Sequence, residues 1–130
     1  MICLVCLRLR LTASDTHAKV NLANLAERLG GLDAQQQPLQ NILSLGEQQR
    51  LAFARLLLAG ASLVVLDEST SALGLRDEKR MYELMAEEGV TVVSVGNRPS
   101  LVPFHSTVLR LTGDGKWALE TPEQAEKNAE

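Results

Sequence analysis

The sequence predicts an α/β fold built around a short parallel sheet, and three observations carry that reading. Leu63-Val64-Val65-Leu66 is an apolar run whose length and β-branched content read as a strand buried on both faces. Thr91-Val92-Val93-Ser94-Val95 is a second run of the same kind. Between them, Arg76 to Glu88 has helical spacing that turns Tyr82, Leu84 and Met85 inward, and Gly89 closes it. Strand, helix and strand in this order make a βαβ crossover in a parallel sheet.

The elements around this unit follow from local chemistry. Residues 15 to 29 place Val20, Leu22, Leu25, Ala26 and Leu29 mostly at helical spacing, with Ser14 or Asp15 as caps and Gly30-Gly31 as the stop. From Leu32 to Leu43 the chain turns polar around Gln35-Gln36-Gln37-Pro38, and the fixed φ of proline argues for a loop. A second helix runs from about Gly46 to Ala59 and ends at Gly60. Beyond the crossover, Thr107 to Leu111 and Lys116 to Leu119 flank Thr112-Gly113-Asp114-Gly115, a hairpin expected on the sheet margin. After Glu120 the chain is polar and is expected to fray.

Composition narrows the function. The 130 residues are 45% hydrophobic and 22% charged, an ordinary globular mixture with room for one core. Aromatics make up 3% and the net charge is −3, so neither a stacking platform nor a basic field is available for nucleic acid. The longest charge-free stretch in the hydrophobic middle, Leu56 to Leu66, has eleven residues against the roughly 20 that span a bilayer. Met1 to Leu7 lacks a basic leader and a small-residue cleavage site, so a reducing, cytosolic setting is expected. Cys3 and Cys6 form a C-x-x-C without a second pair or a His cluster, and read as buried or incidental thiols rather than a metal or redox site.

Leu43-Ser44-Leu45-Gly46-Glu47-Gln48-Gln49-Arg50 is the most informative segment. A capping box accounts for two of its residues: Ser44 caps the helix and Glu47 reaches back to the Ser44 amide. An anion site at a helix start accounts for more, namely a hydroxyl, bare backbone amides and a small residue at Gly46. Both readings stand at this level. Asp67 and Glu68 end the first strand, where parallel sheets gather their ligands, and suit Mg²⁺ binding and water activation; two solvated acids before Ser69-Thr70-Ser71 is the plainer account. The second strand ends in Gly96-Asn97-Arg98-Pro99-Ser100 at the same edge.

Taken in order, these motifs resemble the second half of an ABC transporter ATP-binding domain. Leu43 to Arg50 resembles the signature motif with its Gln-Gln-Arg extension, and Leu63 to Glu68 resembles the Walker B strand. Ser69-Thr70-Ser71-Ala72-Leu73-Gly74 resembles the stretch containing the D-loop, and Ser94 to Arg98 the H-loop. LSLGEQQRLAFARLLL with SVGNRPSLVPFH is similar to the peroxisomal fatty-acyl type and its bacterial relatives. The resemblance implies a partial P-loop NTPase-like parallel sheet with flanking helices and a helical signature subdomain, the N-terminal P-loop part missing. It divides the chain into an unmatched segment 1–12, a truncated domain 13–119 (13–59 helical, 60–119 Walker B to hairpin) and a polar tail 120–130.

The resemblance also implies roles. ATP and Mg²⁺ are the expected cofactors. Ser44, Leu45, Gly46, Glu47 and Gln48 would meet the partner's ATP, Asp67 would act through Mg²⁺, and Glu68 would polarise the attacking water. Asn97 holds the switch-histidine position as a degenerate catalytic residue that can hydrogen-bond phosphate but cannot exchange a proton. The implied partners are a second ATP-binding domain and a transmembrane domain, which places the chain in the cytoplasm or at the cytoplasmic face of a membrane through that partner. No G-x-x-x-x-G-K-[ST] occurs in the 130 residues, whose lysines are Lys19, Lys79, Lys116 and Lys127, and Gly74 stands where the D-loop carboxylate is expected. The expected function is therefore a fragment of a transporter's ATP-hydrolysing subunit without activity of its own. A non-catalytic module docking on an intact subunit, or a gene remnant, are the alternatives.

Overall fold

A computed structural model describes residues 19–22, 24–30 and 41–128. The order is α1 (Leu25–Arg28), α2 (Leu45–Ala59), β1 (Leu63–Asp67), α3 (Leu75–Glu87), β2 (Thr91–Val95), a 3-10 turn (Pro99–Phe104), β3 (Val108–Thr112), β4 (Lys116–Glu120) and α4 (Pro122–Lys127). β1 and β2 pair in parallel, Leu63 opposite Thr91 through Asp67 opposite Val95, with α3 as the connection. The α/β expectation and its βαβ unit hold.

One core joins α1, α2, β1 and α3, with β2 and the 3-10 turn packed against it. Phe53, Ala54 and Leu57 of α2 meet Val64 and Leu66 of β1 and Met81, Tyr82, Leu84 and Met85 of α3, while Val20, Leu22 and Leu25 close one side. α2 starts at a Ser44 cap and ends where Gly60 adopts φ 62 and donates its N–H to the Leu57 carbonyl, a left-handed stop that glycine takes at least cost.

Four expectations need correction. β1 is not buried on both faces: Val64 and Leu66 are buried, but Leu63 and Val65 are 58% and 68% exposed, because the helices cover one face only. β2 leaves Val93 and Val95 exposed on the same pattern. The hairpin does not extend the parallel sheet; β3 and β4 form their own antiparallel pair. The described residues after Glu120, up to Asn128, form a capped helix instead of fraying. Thr121 caps α4 in a reciprocal box with Gln124, Pro122 supplies a preset φ at the first turn, and Ala125 is buried at 1% exposure. Finally, the helix expected over 15–29 is not continuous: among the described residues Lys19 and Leu25–Arg28 are helical, and Asn21 at φ 60 stands between them. The segment 1–12 with its two cysteines, the caps Ser14 and Asp15, and the glutamine loop lie outside the described residues.

The turn Pro99–Phe104 had no counterpart in the sequence reading. Phe104 stacks on Tyr82 with ring centroids 4.8 Å apart, and three polar groups meet beside them. His105 Nδ1 lies 2.9 Å from the Leu101 carbonyl, which can only accept, so Nδ1 carries the hydrogen. In the neutral ring Nε2 then accepts from the Ser94 hydroxyl at 3.0 Å, and Ser94 Oγ in turn accepts from Tyr82 at 2.7 Å. Burial raises the Tyr82 phenol above its ordinary range.

Candidate functional site

Two elements aim chemistry at one loop. At the start of α2, Ser44 Oγ accepts the Glu47 N–H at 3.2 Å, and Glu47 Oε2 accepts the Ser44 N–H at 2.9 Å. The capping box is therefore real. It does not exhaust the site, because the Ser44 hydroxyl hydrogen is not needed for the box, and the amides of Leu45 and Gly46 stand in the first turn, where a helix offers no acceptor four residues back. Glu47 also meets Arg28 Nη1 at 2.6 Å, and this cation together with the Ser44 bonds lowers its carboxyl from 4.5 to about 2. Gln48 bonds the Leu43 carbonyl through its side-chain nitrogen at 2.9 Å.

Gly46 has a packing reason to be small. A Cβ there would stand 3.2 Å from the Ala72 carbonyl oxygen, so the helix start and the loop after β1 lie against each other. Gln49 fastens the contact, accepting the Ala72 N–H at 3.0 Å and donating to Ser71 Oγ at 3.0 Å.

The carboxyl edge of the sheet supplies the acids. Asp67 ends β1 opposite Val95, and the Glu68 N–H donates to the Val95 carbonyl at 2.9 Å. Both carboxylates belong to exposed residues. Glu68 has φ 47, a left-handed backbone that costs a non-glycine residue on the order of 1 kcal/mol and persists where surrounding bonds over-determine it. Asn97 follows two residues after Val95 and is exposed at the same edge. Among the described residues no group of three or more His, Cys, Asp or Glu gathers around a point. The exposed Asp67 carboxylate is a donor of the kind that would suit Mg²⁺, an oxygen-seeking ion.

On the other side of the loop, Arg98 Nη1 donates to the carbonyls of Thr70 at 2.7 Å and Leu73 at 3.2 Å. Behind it stands Glu78, 1% exposed, which accepts from Ser100. Sequence reasoning quoted Arg98 and Gln49 inside motifs without giving either a task, and missed Glu78. The signal for Glu78 was available: it falls on the stripe of Met81, Tyr82 and Met85 at helical spacing, where a charge needs a partner.

The geometry meets its counterpart in known proteins. The ABC transporter family profile matches residues 4–71, which is more than half of the chain. The chain belongs to the ABC transporter family. That match begins inside the segment 1–12 and runs through α2 and β1 to Ser71. An uncharacterized ABC transporter ATP-binding protein of Synechocystis is 44% identical over 105 residues, covering 81% of this chain and 16% of that protein. The chloroplastic ABC transporter D family member 2 of Arabidopsis thaliana is 46% identical over 111 residues, with the same two shares of 81% and 16%. The mouse lysosomal cobalamin transporter ABCD4 is 50% identical over 99 residues, 75% of this chain and 16% of that one. The chain thus spans 16% of the length of each of these ABC relatives. Among solved structures, an inward-facing ABC transporter assigned to the metal-chelate type superposes with a TM-score of 0.63 at 24% identity, over 90% of this chain and 46% of that one, which supports the fold. The resemblance to the second half of a D-family ATP-binding domain stands. No helix among the described residues is long and apolar enough to cross a membrane.

Proposed function

We propose that these residues form the signature-bearing part of an ABC ATP-binding domain, acting on ATP in a pair with a second such domain and driving a transmembrane domain from the cytoplasmic side. One observation carries the reading: the start of α2 and the carboxyl edge of β1 both close on loop 68–73, through Gly46 against Ala72 and through Glu68 at the head of the loop. In such a pair the hydroxyl of Ser44 and the amides of Leu45 and Gly46 donate to the γ-phosphate of the ATP bound by the partner. Glu47 and Gln48 shape the turn that aims those donors. Glu68 orients a water and accepts its proton as the water attacks. Asp67 is the residue that would hold Mg²⁺, which when bound neutralises phosphate charge. Asn97 donates an amide hydrogen to phosphate and takes no part in proton exchange.

The 130 residues contain no glycine-rich phosphate loop of the G-x-x-x-x-G-K-[ST] form, so phosphate binding has to come from elsewhere in the assembly. Mixing the chain with an intact D-family ATP-binding domain and Mg-ATP tests the proposal. The ATPase rate of the mixture should differ from that of the domain alone, and Ser44→Arg should abolish the difference while leaving the circular dichroism spectrum unchanged. Equal effects of parent and variant would remove the signature helix from the account.

A further inference from the structure

Gln49 is used at both ends of its side-chain amide. The oxygen accepts the Ala72 N–H at 3.0 Å, and the nitrogen donates to Ser71 Oγ at 3.0 Å and reaches the Glu68 carbonyl at 3.4 Å. All three partners lie in the loop that follows β1. The loop is also held from its far side, where Arg98 takes the Thr70 and Leu73 carbonyls. At its head Glu68 adopts φ 47, a backbone conformation that needs external bonds to persist. The Glu68 carbonyl is the one atom of that residue reached both by Gln49 and by the N–H of Ser71, at 3.1 Å.

We propose that Gln49 is a positioning residue that makes the start of α2 and the left-handed turn at Glu68 one rigid unit. In the pair of domains described above, the helix start faces the partner's ATP and Glu68 serves the other nucleotide site, so Gln49 links two different sites. That link rests on the proposed function; the rigid unit does not. A side chain that satisfied only one loop amide would be a local bond. This one spans donor and acceptor groups on both sides of the turn, so its loss frees the turn as a whole.

Two measurements test this, and they fail separately. In the chain alone, backbone amide exchange is followed by NMR for the parent, Gln49→Leu and Gln49→Glu. Gln49→Leu should speed exchange about tenfold or more at Ala72 and also at Ser71 and Glu68, whose N–H groups Gln49 does not touch; tenfold is about 1.4 kcal/mol of opening free energy. Gln49→Glu keeps the acceptor for Ala72 and loses the donor, so it should protect Ala72 while loosening Ser71 and Glu68. It also serves if the leucine variant does not fold. A change confined to Ala72 overturns the rigid unit. In the mixture with an intact D-family ATP-binding domain and Mg-ATP, Gln49→Leu should lower kcat about tenfold with KM within about twofold, the mark of an interaction made in the transition state. An unchanged kcat alongside spreading exchange overturns the link between sites. A parent mixture with no added ATPase removes the proposed function, and with it the link, while the exchange data still decide the rigid unit.

Discussion

Arg98 Nη1 stands 2.8 Å from Glu78 Oε2, an ion pair in which the carboxylate side chain is 1% exposed and the guanidinium 27%. The two hydrogens of Nη1 go to the Thr70 and Leu73 carbonyls, so the contact with Oε2 is coulombic and that oxygen accepts no hydrogen bond. One cation thus neutralises a buried charge and ties down the loop that carries Glu68.

Removing the cation should therefore cost more than removing the anion. Arg98→Met leaves a buried carboxylate unpaired, at about 3 kcal/mol or more. Glu78→Gln keeps an acceptor for Ser100 and leaves Arg98 with its two carbonyls and partial solvent access, so a loss near 1 kcal/mol is expected. Urea unfolding of both single variants and the double variant checks this. Equal losses from the two single changes would mean that the pair is not what holds Arg98.

How much of this was legible beforehand depends on whether the signal is local. The α2 cap, the β1–α3–β2 unit and the Asp67-Glu68 edge could all be read because caps, periodicity and strand ends are written within a few neighbouring residues. α4 could have been read by the same rule, since Thr121-Pro122-Glu123-Gln124 is a capping box with proline at its first turn. The one-faced burial of β1 could not, because Val65 is as apolar as Val64 and only the placement of the helices separates them. Nor could the task of Gln49, whose partners Ser71 and Ala72 come close only through the packing of two elements. Site residues on one element were legible; the side chains that join elements were not.

Glu47 gives the chain a predictable acid limb. Its folded carboxyl titrates at about 2 against 4.5 unperturbed, a depressed value, so its contribution to stability is full above pH 4.5 and is lost as pH falls toward 2. Glu47→Gln keeps a capping side chain but removes the charge that meets Arg28. The variant should show a flatter decline of the thermal midpoint between about pH 5 and pH 2 than the parent. Parallel curves for the two proteins would refute the assignment.

The exposed sheet face separates packing from assembly. Val65 is 68% and Val95 56% exposed, so Val65→Thr and Val95→Thr should each change the stability of the chain by no more than about 0.5 kcal/mol. Any self-association of the chain, measured by analytical ultracentrifugation, should also fall, because the substitutions make exposed valines of this face polar. A loss of several kcal/mol in either variant would mean that this face is already covered.

Ser94 links Tyr82 to His105, and its removal leaves a phenol and a ring nitrogen without that partner. Ser94→Ala should cost about 1–3 kcal/mol, and Ser94→Thr, which restores the hydroxyl on a strand-favouring residue, should recover most of it. The ordering of the two variants in thermal unfolding is the test. Alanine as stable as threonine would show that the hydroxyl contributes nothing.

Ser44 distinguishes a structural cap from an anion contact, since aspartate serves the first and defeats the second. Ser44→Asp keeps an acceptor for the Glu47 N–H and adds negative charge at a helix N-terminus, where it is tolerated or favourable, so stability should stay within about 0.5 kcal/mol of the parent. Ser44→Ala removes the cap and should cost about 1 kcal/mol. Toward ATP the order inverts. The aspartate carboxylate would face a γ-phosphate and repel it, whereas alanine only lacks a donor beside the Leu45 and Gly46 amides, which remain. In the mixed ATPase assay Ser44→Asp should therefore erase the chain's effect although it is the more stable variant, and Ser44→Ala should weaken that effect although it is the less stable. If activity instead follows stability across the two variants, Ser44 is a cap and nothing more.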